Sequence, residues 1–225
     1  MCLVYLDDVI IFGDTPEQHL LRVGKVFERL QVANLKLKPS KCRLMRRHVD
    51  FLGHVISREG VSVDPSKIRD VVDWPVPQRL KDVRSFLGLC CYYRRFIRNF
   101  SMLAAPLFAL TKKGRAFLWD EGCQEAFELL KQVLTSAPIL ALPRDEGTYI
   151  LDCDACDDGI GAVLSQRIEG EERVINYGSR LLSSAERNYC VTRKELLAVV
   201  YFTKLYRQYL LGKAFILRTD HAALQ

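Results

Sequence analysis

The chain has no long uninterrupted apolar run; nothing in it approaches the roughly 20 residues that a membrane-spanning helix needs. No basic stretch precedes the first apolar residues, which argues against a secretory leader. A disulfide framework is also missing. The eight cysteines, at 2, 42, 90, 91, 123, 153, 156 and 190, show no regular spacing, and 225 residues can bury a core without cross-links. They read as reduced, intracellular thiols. Cys153 and Cys156 form the only Cys-x-x-Cys, but it opens no helix and has no second ligand pair at close spacing. Neither redox nor zinc chemistry is indicated there. There is no internal repeat and no low-complexity tract. At 49% hydrophobic and 27% charged residues the chain reads as globular, not disordered. Its net charge of +6 mildly favours a polyanionic partner and decides nothing alone.

Three kinds of segment succeed one another. Residues 2–12 read as a hairpin, CLVY and VIIF flanking a turn at Leu6-Asp7-Asp8. Thr15, Pro16 and Gln18 then fit a capping box with proline at the first helical position, ahead of Leu20, Val23, Phe27 and Leu30 at helical spacing. Residues 49–56 and 61–63 read as short strands. Pro65, Pro75 and Pro77 punctuate a boundary. From Leu80 an apolar stripe (Val83, Phe86, Leu87, Cys90, Tyr93, Ile97, Phe100) predicts a helix, and Asp120 to Leu134 predicts another. APILALPRDEG reads as a linker. The last part predicts strands at 149–153, 160–166 and 172–177, a helix over 192–210 and a strand at 214–219. That β-β-β-α-β order fits a mixed sheet opening with a meander.

The carboxylates need explaining. Asp7 and Asp8 are adjacent like charges between apolar strands, and burying them unpaired costs several kcal/mol. They are either a turn tip pointing into water or ligands for a hard divalent cation such as Mg²⁺. Asp154 either caps a local turn or serves in a site, with Asp152 as a competitor. Thr192 and Glu195 fit a capping box, which by itself accounts for the glutamate. Glu195 also shares a helical face with Ala198, Val199, Phe202 and Tyr206, which aims it at the core. Asp220 ends the last strand.

The string YLDDVIIFG resembles the Tyr-x-Asp-Asp box of reverse transcriptases, in the form found in gypsy-type long-terminal-repeat retrotransposons. PEQHL, LKLKPSKC and FLGHVIS come after it in register; SVDPSKI, WPVP and SFLGLCCYYRRFIRNFS resemble the thumb and connection; FLWDEGCQEAFELLKQVLTSAPIL resembles the lead-in to a tethered ribonuclease H. The resemblance covers essentially the whole chain, and the combination carries it. It implies an α+β fold. Residues 1–63 would be the C-terminal part of a polymerase palm and 64–143 a helical thumb/connection. Residues 144–225 would be a truncated ribonuclease H-like domain. It further implies that Asp7 and Asp8 hold Mg²⁺ (with Mn²⁺ as an alternative ion) for attack of a primer 3′-hydroxyl on a deoxynucleoside triphosphate. Phe51, Leu52, Gly53 and His54 correspond to the primer grip. Asp154, Glu195 and Asp220 correspond to metal ligands for hydrolysing RNA in an RNA–DNA hybrid. Implied partners are that hybrid, a primer–template duplex and the remainder of a Pol polyprotein, inside the cell, in cytoplasmic particles or the nucleus. The family's further palm aspartate and fourth ribonuclease H acid have no counterpart here, so the chain reads as a piece that is inactive alone. Cys153 and Cys156 stand where the family carries small hydroxyl residues.

Between Val76 and Arg115 there are nine basic residues and one acid, Asp82. On one continuous helix Arg84, Arg95 and Arg98 fall on nearly the same face, among Tyr92, Tyr93 and Phe96. This is either a solvated face or a footprint for phosphates, and the resemblance implies the latter. Two functions therefore stand: a polymerase–nuclease segment, or a catalytically inactive remnant that binds nucleic acid through this basic helix.

Overall fold

The structure, a computed structural model, describes residues 2–224. Met1 and Gln225, the outer ends of the first and third expected segments, lie outside the described residues. The chain divides into two compact units, Met1–Arg58 and Glu59–Gln225.

In the first unit β1 (Cys2–Tyr5) pairs antiparallel with β2 (Asp8–Ile11), Tyr5 opposite Asp8. The turn is therefore only Leu6-Asp7, and Asp8 already belongs to a strand. Helix α1 (Pro16–Val32) starts where its proline and cap place it: the Thr15 side chain accepts from the Gln18 N–H. The Gln18 side chain accepts from Asp14 N at 2.9 Å, not from Thr15, so the box closes one residue early. A second hairpin comes next, β3 (His48–Phe51) and β4 (His54–Ser57). Among the described residues of this unit only Val23 is buried, and β1 keeps Leu3, Val4 and Tyr5 exposed.

The second unit has two cores. β5 (Val61–Val63) leads into α2 (Pro65–Val72). This helix replaces the expected irregular boundary: Asp64 caps it by accepting from Ser66 N at 2.8 Å, and Pro65 starts it. Helix α3 (Leu80–Tyr92) ends well short of the expected stripe. A single 3₁₀ turn over Arg94–Phe96 and a left-handed Asn99 (φ 57°) redirect the chain into α4 (Phe100–Leu103) and α5 (Ala105–Leu110). The break lets Tyr93, Phe96, Ile97 and Phe100 all enter one core, at 2% exposure or less. It also separates Arg84 from Arg95 and Arg98, so these three do not share a helical face. Helix α6 (Glu121–Thr135), capped by Asp120, completes this core through Phe127, Leu130 and Leu134. The expected linker is packed: Leu140 is fully buried and bridges Val61, and Ala141 N donates to Val174 O at 2.7 Å.

The second core lies under a four-stranded sheet. β6 (Thr148–Ala155), β7 (Gly159–Ile168) and β8 (Glu171–Leu181) form the expected antiparallel meander. A short helix outside the expected range, α7 (Ser184–Arg187), comes first; the single helix expected over 192–210 is two, α8 (Val191–Leu205) and, after a break at Tyr206, α9 (Arg207–Leu210). β9 (Phe215–Arg218) then joins β6 in parallel, giving the order β8-β7-β6-β9. Ala198, Phe202 and Tyr206 pack α8 onto the sheet through Leu151, Cys153 and Leu164. No helix among the described residues is long and apolar enough to cross a membrane, and all eight cysteines are free.

Candidate metal centre

Three elements of the second unit deliver one carboxylate each. Asp154 is the penultimate residue of β6, Asp220 lies just past β9, the strand parallel to it, and Glu195 lies on the core side of α8. One ligand oxygen from each lies within 4.8 Å of the others. Asp154 and Asp220 are exposed, whereas Glu195 is only 4% exposed.

The capping-box reading of Glu195 is corrected by this geometry. Helix α8 starts at Val191 with Cys190 at its cap, so Thr192 and Glu195 both sit inside the helix. The Thr192 hydroxyl instead pairs with His221 Nε2 at 2.9 Å, tying the residue after Asp220 to α8. Glu195 Oε1 accepts from Ala155 N at 3.3 Å. Its Oε2 is buried with no hydrogen-bond partner. An unsatisfied buried oxygen of this kind costs about 1–3 kcal/mol, more when charged. Burial pushes the Glu195 carboxyl up; the Ala155 amide opposes this, while Asp154 and Asp220 push it further up. A cation among the three oxygens would satisfy Oε2 and relieve the repulsion together. An all-carboxylate donor set suits Mg²⁺ or Mn²⁺ rather than the softer metals, so these residues fit the ion expected from the sequence.

Sequence reasoning missed Lys194, the other buried charge of α8, which donates to Asp157 Oδ1 at 2.9 Å. Its signal was the four-residue step to the buried Ala198, which puts Lys194 on the core side of the helix.

Residues 1–56 match the model for reverse transcriptase (RNA-dependent DNA polymerase). Residues 119–217 match that for an RNase H-like domain found in reverse transcriptase. Over its whole length the chain is 42% identical to the retrovirus-related Pol polyprotein from transposon 297 of Drosophila melanogaster. It is 35% identical to that from transposon gypsy of the same organism. The chain belongs to the retrotransposon Pol family. It spans about a fifth of these relatives' length, 21% and 22%. Its fold matches a foamy viral protease-reverse transcriptase solved with double-stranded DNA, with a TM-score of 0.88 over 98% of this chain and 39% of that one, at 24% identity. A second structure of that viral protein, with an RNA/DNA hybrid, gives 0.86 over 98% of this chain and 30% of that one.

The other expected Pol residues are less closely gathered. Asp7 and Asp8 are exposed at the β1–β2 turn, and among the described residues no group of three potential ligands forms around them. Leu6, beside them, holds a left-handed φ of 51°. In the FLGH hairpin Phe51 pairs with His54, and Leu52 and Gly53 form the turn at φ 48° and 67°. Left-handed backbone disfavours a leucine by about 1–2 kcal/mol, so both short hairpins hold a strained residue at the motif itself. Arg84 and Arg98 are exposed, but Arg95 turns inward. It donates to Ile175 O at 3.3 Å and lies over the Phe96 ring. Arg98 lies within electrostatic reach of Asp152, whose carboxyl burial pushes up and Arg218 pulls down.

Proposed function

We propose that this Pol segment carries the metal centre of a ribonuclease H that hydrolyses the RNA strand of RNA–DNA hybrids. In the same reading it supplies the Asp7-Asp8 hairpin and the FLGH turn to a polymerase palm. Residues 1–63 act as palm, 64–143 as thumb/connection and 144–225 as the ribonuclease H-like domain of a longer Pol polypeptide. One observation supports this most: Asp154, Glu195 and Asp220 converge, with Glu195 Oε2 buried and unpartnered.

Asp154, Glu195 and Asp220 would hold Mg²⁺ or Mn²⁺, which when bound supplies activation of water and stabilisation of the leaving oxygen. The chain does the positioning. The Ala155 amide fixes the rotamer of Glu195, and the Thr192–His221 bond anchors the segment that carries Asp220. Exposed Arg84 and Arg98 neutralise phosphates without reading sequence. Choosing the RNA strand falls to contacts with its 2′-hydroxyl.

The test places the chain within its Pol polypeptide and follows cleavage of a labelled RNA–DNA hybrid. Mg²⁺-dependent cleavage that disappears in Asp154→Asn is the expected result. Equal cleavage by that variant overturns the site. Salt-sensitive hybrid binding without cleavage by the unmodified polypeptide instead establishes the inactive, nucleic-acid-binding remnant.

A further inference from the structure

The two buried charges of α8 are neighbours in sequence: Lys194 and Glu195 are 6% and 4% exposed. Side chains of consecutive helix residues project about 100° apart. Both nevertheless reach the link from β6 to β7, Glu195 at the last residue of the strand and Lys194 in the turn beyond it. Glu195 Oε1 takes the Ala155 N–H at 3.3 Å, and Lys194 Nζ donates to Asp157 Oδ1 at 2.9 Å. The turn is closed on itself by Cys156 N donating to Gly159 O at 2.8 Å. The ion pair is lopsided, with the Lys194 side chain 8% exposed and that of Asp157 97%. Burying an ammonium costs several kcal/mol, and a partner standing in water returns little of it. Net stability is therefore a poor account of Lys194. What the bond does is geometric: it fastens the turn that follows Asp154 and the end of β6 to the helix that carries Glu195.

We propose that Lys194 is a positioning residue whose bond to Asp157 latches this turn onto α8, holding Asp154 and Glu195 at ligand distance before a cation binds. The proposal rests on reading Asp154, Glu195 and Asp220 as a divalent-cation centre. Without the latch, repulsion among the three carboxylates drives the turn outward, and binding has to bring it back. Partners that orient metal ligands typically govern affinity by 10–100-fold, and that scale sets the expectation.

The experiment uses the purified chain and two readouts: calorimetric titration with Mg²⁺ and with Mn²⁺, and hydrogen exchange of the Ala155 amide without metal. Lys194→Met and Asp157→Ala are each expected to weaken divalent binding by about 10–100-fold. Both should also speed Ala155 exchange by about an order of magnitude. The double variant should be no worse than either single one, because both remove the same bond. Lys194→Arg, which keeps the charge and the donor, should restore most of the affinity. Asp157→Ala alters an exposed position and carries the test if Lys194→Met fails to fold. Asp154→Asn separates the two ideas. If it abolishes binding while Asp157→Ala changes neither readout, the latch is overturned and the centre stands. If binding survives Asp154→Asn, or the unmodified chain binds neither ion, the centre falls and the latch with it.

Discussion

Replacing Asp154 by asparagine should stabilise the metal-free protein, the reverse of what most substitutions at structured positions do. The three ligand oxygens lie within 4.8 Å of one another. Two unit charges at that separation repel by about 0.9 kcal/mol in water and about 3.5 kcal/mol at an effective dielectric of 20. Asp154 is exposed and Glu195 is not, so the water-like figure is the safer base. Neutralising Asp154 removes two of the three repulsions, a gain of about 2 kcal/mol. For a unit of this size that raises the melting temperature by about 4–8 °C. Mg²⁺ at a hundred times its dissociation constant adds about 2.7 kcal/mol to the wild-type chain and nothing to the variant, so the order of stabilities reverses. The assay is thermal unfolding in EDTA and in Mg²⁺ at matched ionic strength. The sign can be checked against pH. The Glu195 carboxyl is raised on folding from its ordinary 4.5. Its charge penalty is therefore absent below that value and complete above the raised one. The gain in Asp154→Asn should shrink as the solution is acidified. A variant no more stable than wild type in EDTA, or one that Mg²⁺ stabilises equally, would refute the reasoning.

Three further predictions concern the same unit. Arg95→Ala loses the bond to Ile175 O and the stack on Phe96; it should destabilise by about 1–2 kcal/mol and leave the salt dependence of nucleic-acid binding unchanged. Arg84→Ala or Arg98→Ala should do the opposite, preserving the melting temperature and lowering the log–log salt slope by about 1 each. Anisotropy titrations across salt concentrations separate the two cases. Glu186 is held from 4.5 down to about 2, chiefly by its hydrogen bonds with Arg180 and also by the Ser183 amide. A lowered carboxyl stabilises above its unfolded value and loses that contribution as pH falls through the folded one. Glu186→Gln should cost about 1–2 kcal/mol at pH 7, with the deficit fading between pH 4.5 and about 2, as tracked by chemical denaturation across pH.

Local pattern made much of this structure legible, and the exceptions share a cause. The meander, the strand β9 and the faces of α1, α6 and α8 arise from periods of two and of 3.6 and from turn residues, which each segment carries within itself. The inward aim of Glu195 was readable in the same way, from its spacing to Ala198 and Phe202. The capping-box reading failed there because a cap is decided by where a helix starts, and α8 starts at Val191. The stripe from Val83 to Phe100 suited one helix equally well. What broke it was the demand of a second surface, since Arg94 donates to Ser179 O at 2.7 Å and Arg95 to Ile175 O. Leu140 looked like linker because its partner, Val61, lies far away in sequence. Lys194 was hidden for the same reason: only the fold brings Asp157 to it. A periodic pattern tells which side of an element is buried but not against what, and at this centre the identity of the opposing group decides the chemistry. Glu195 faces two carboxylates, whose repulsion a cation would relieve, while Lys194, one residue earlier, faces one carboxylate and is paired by it.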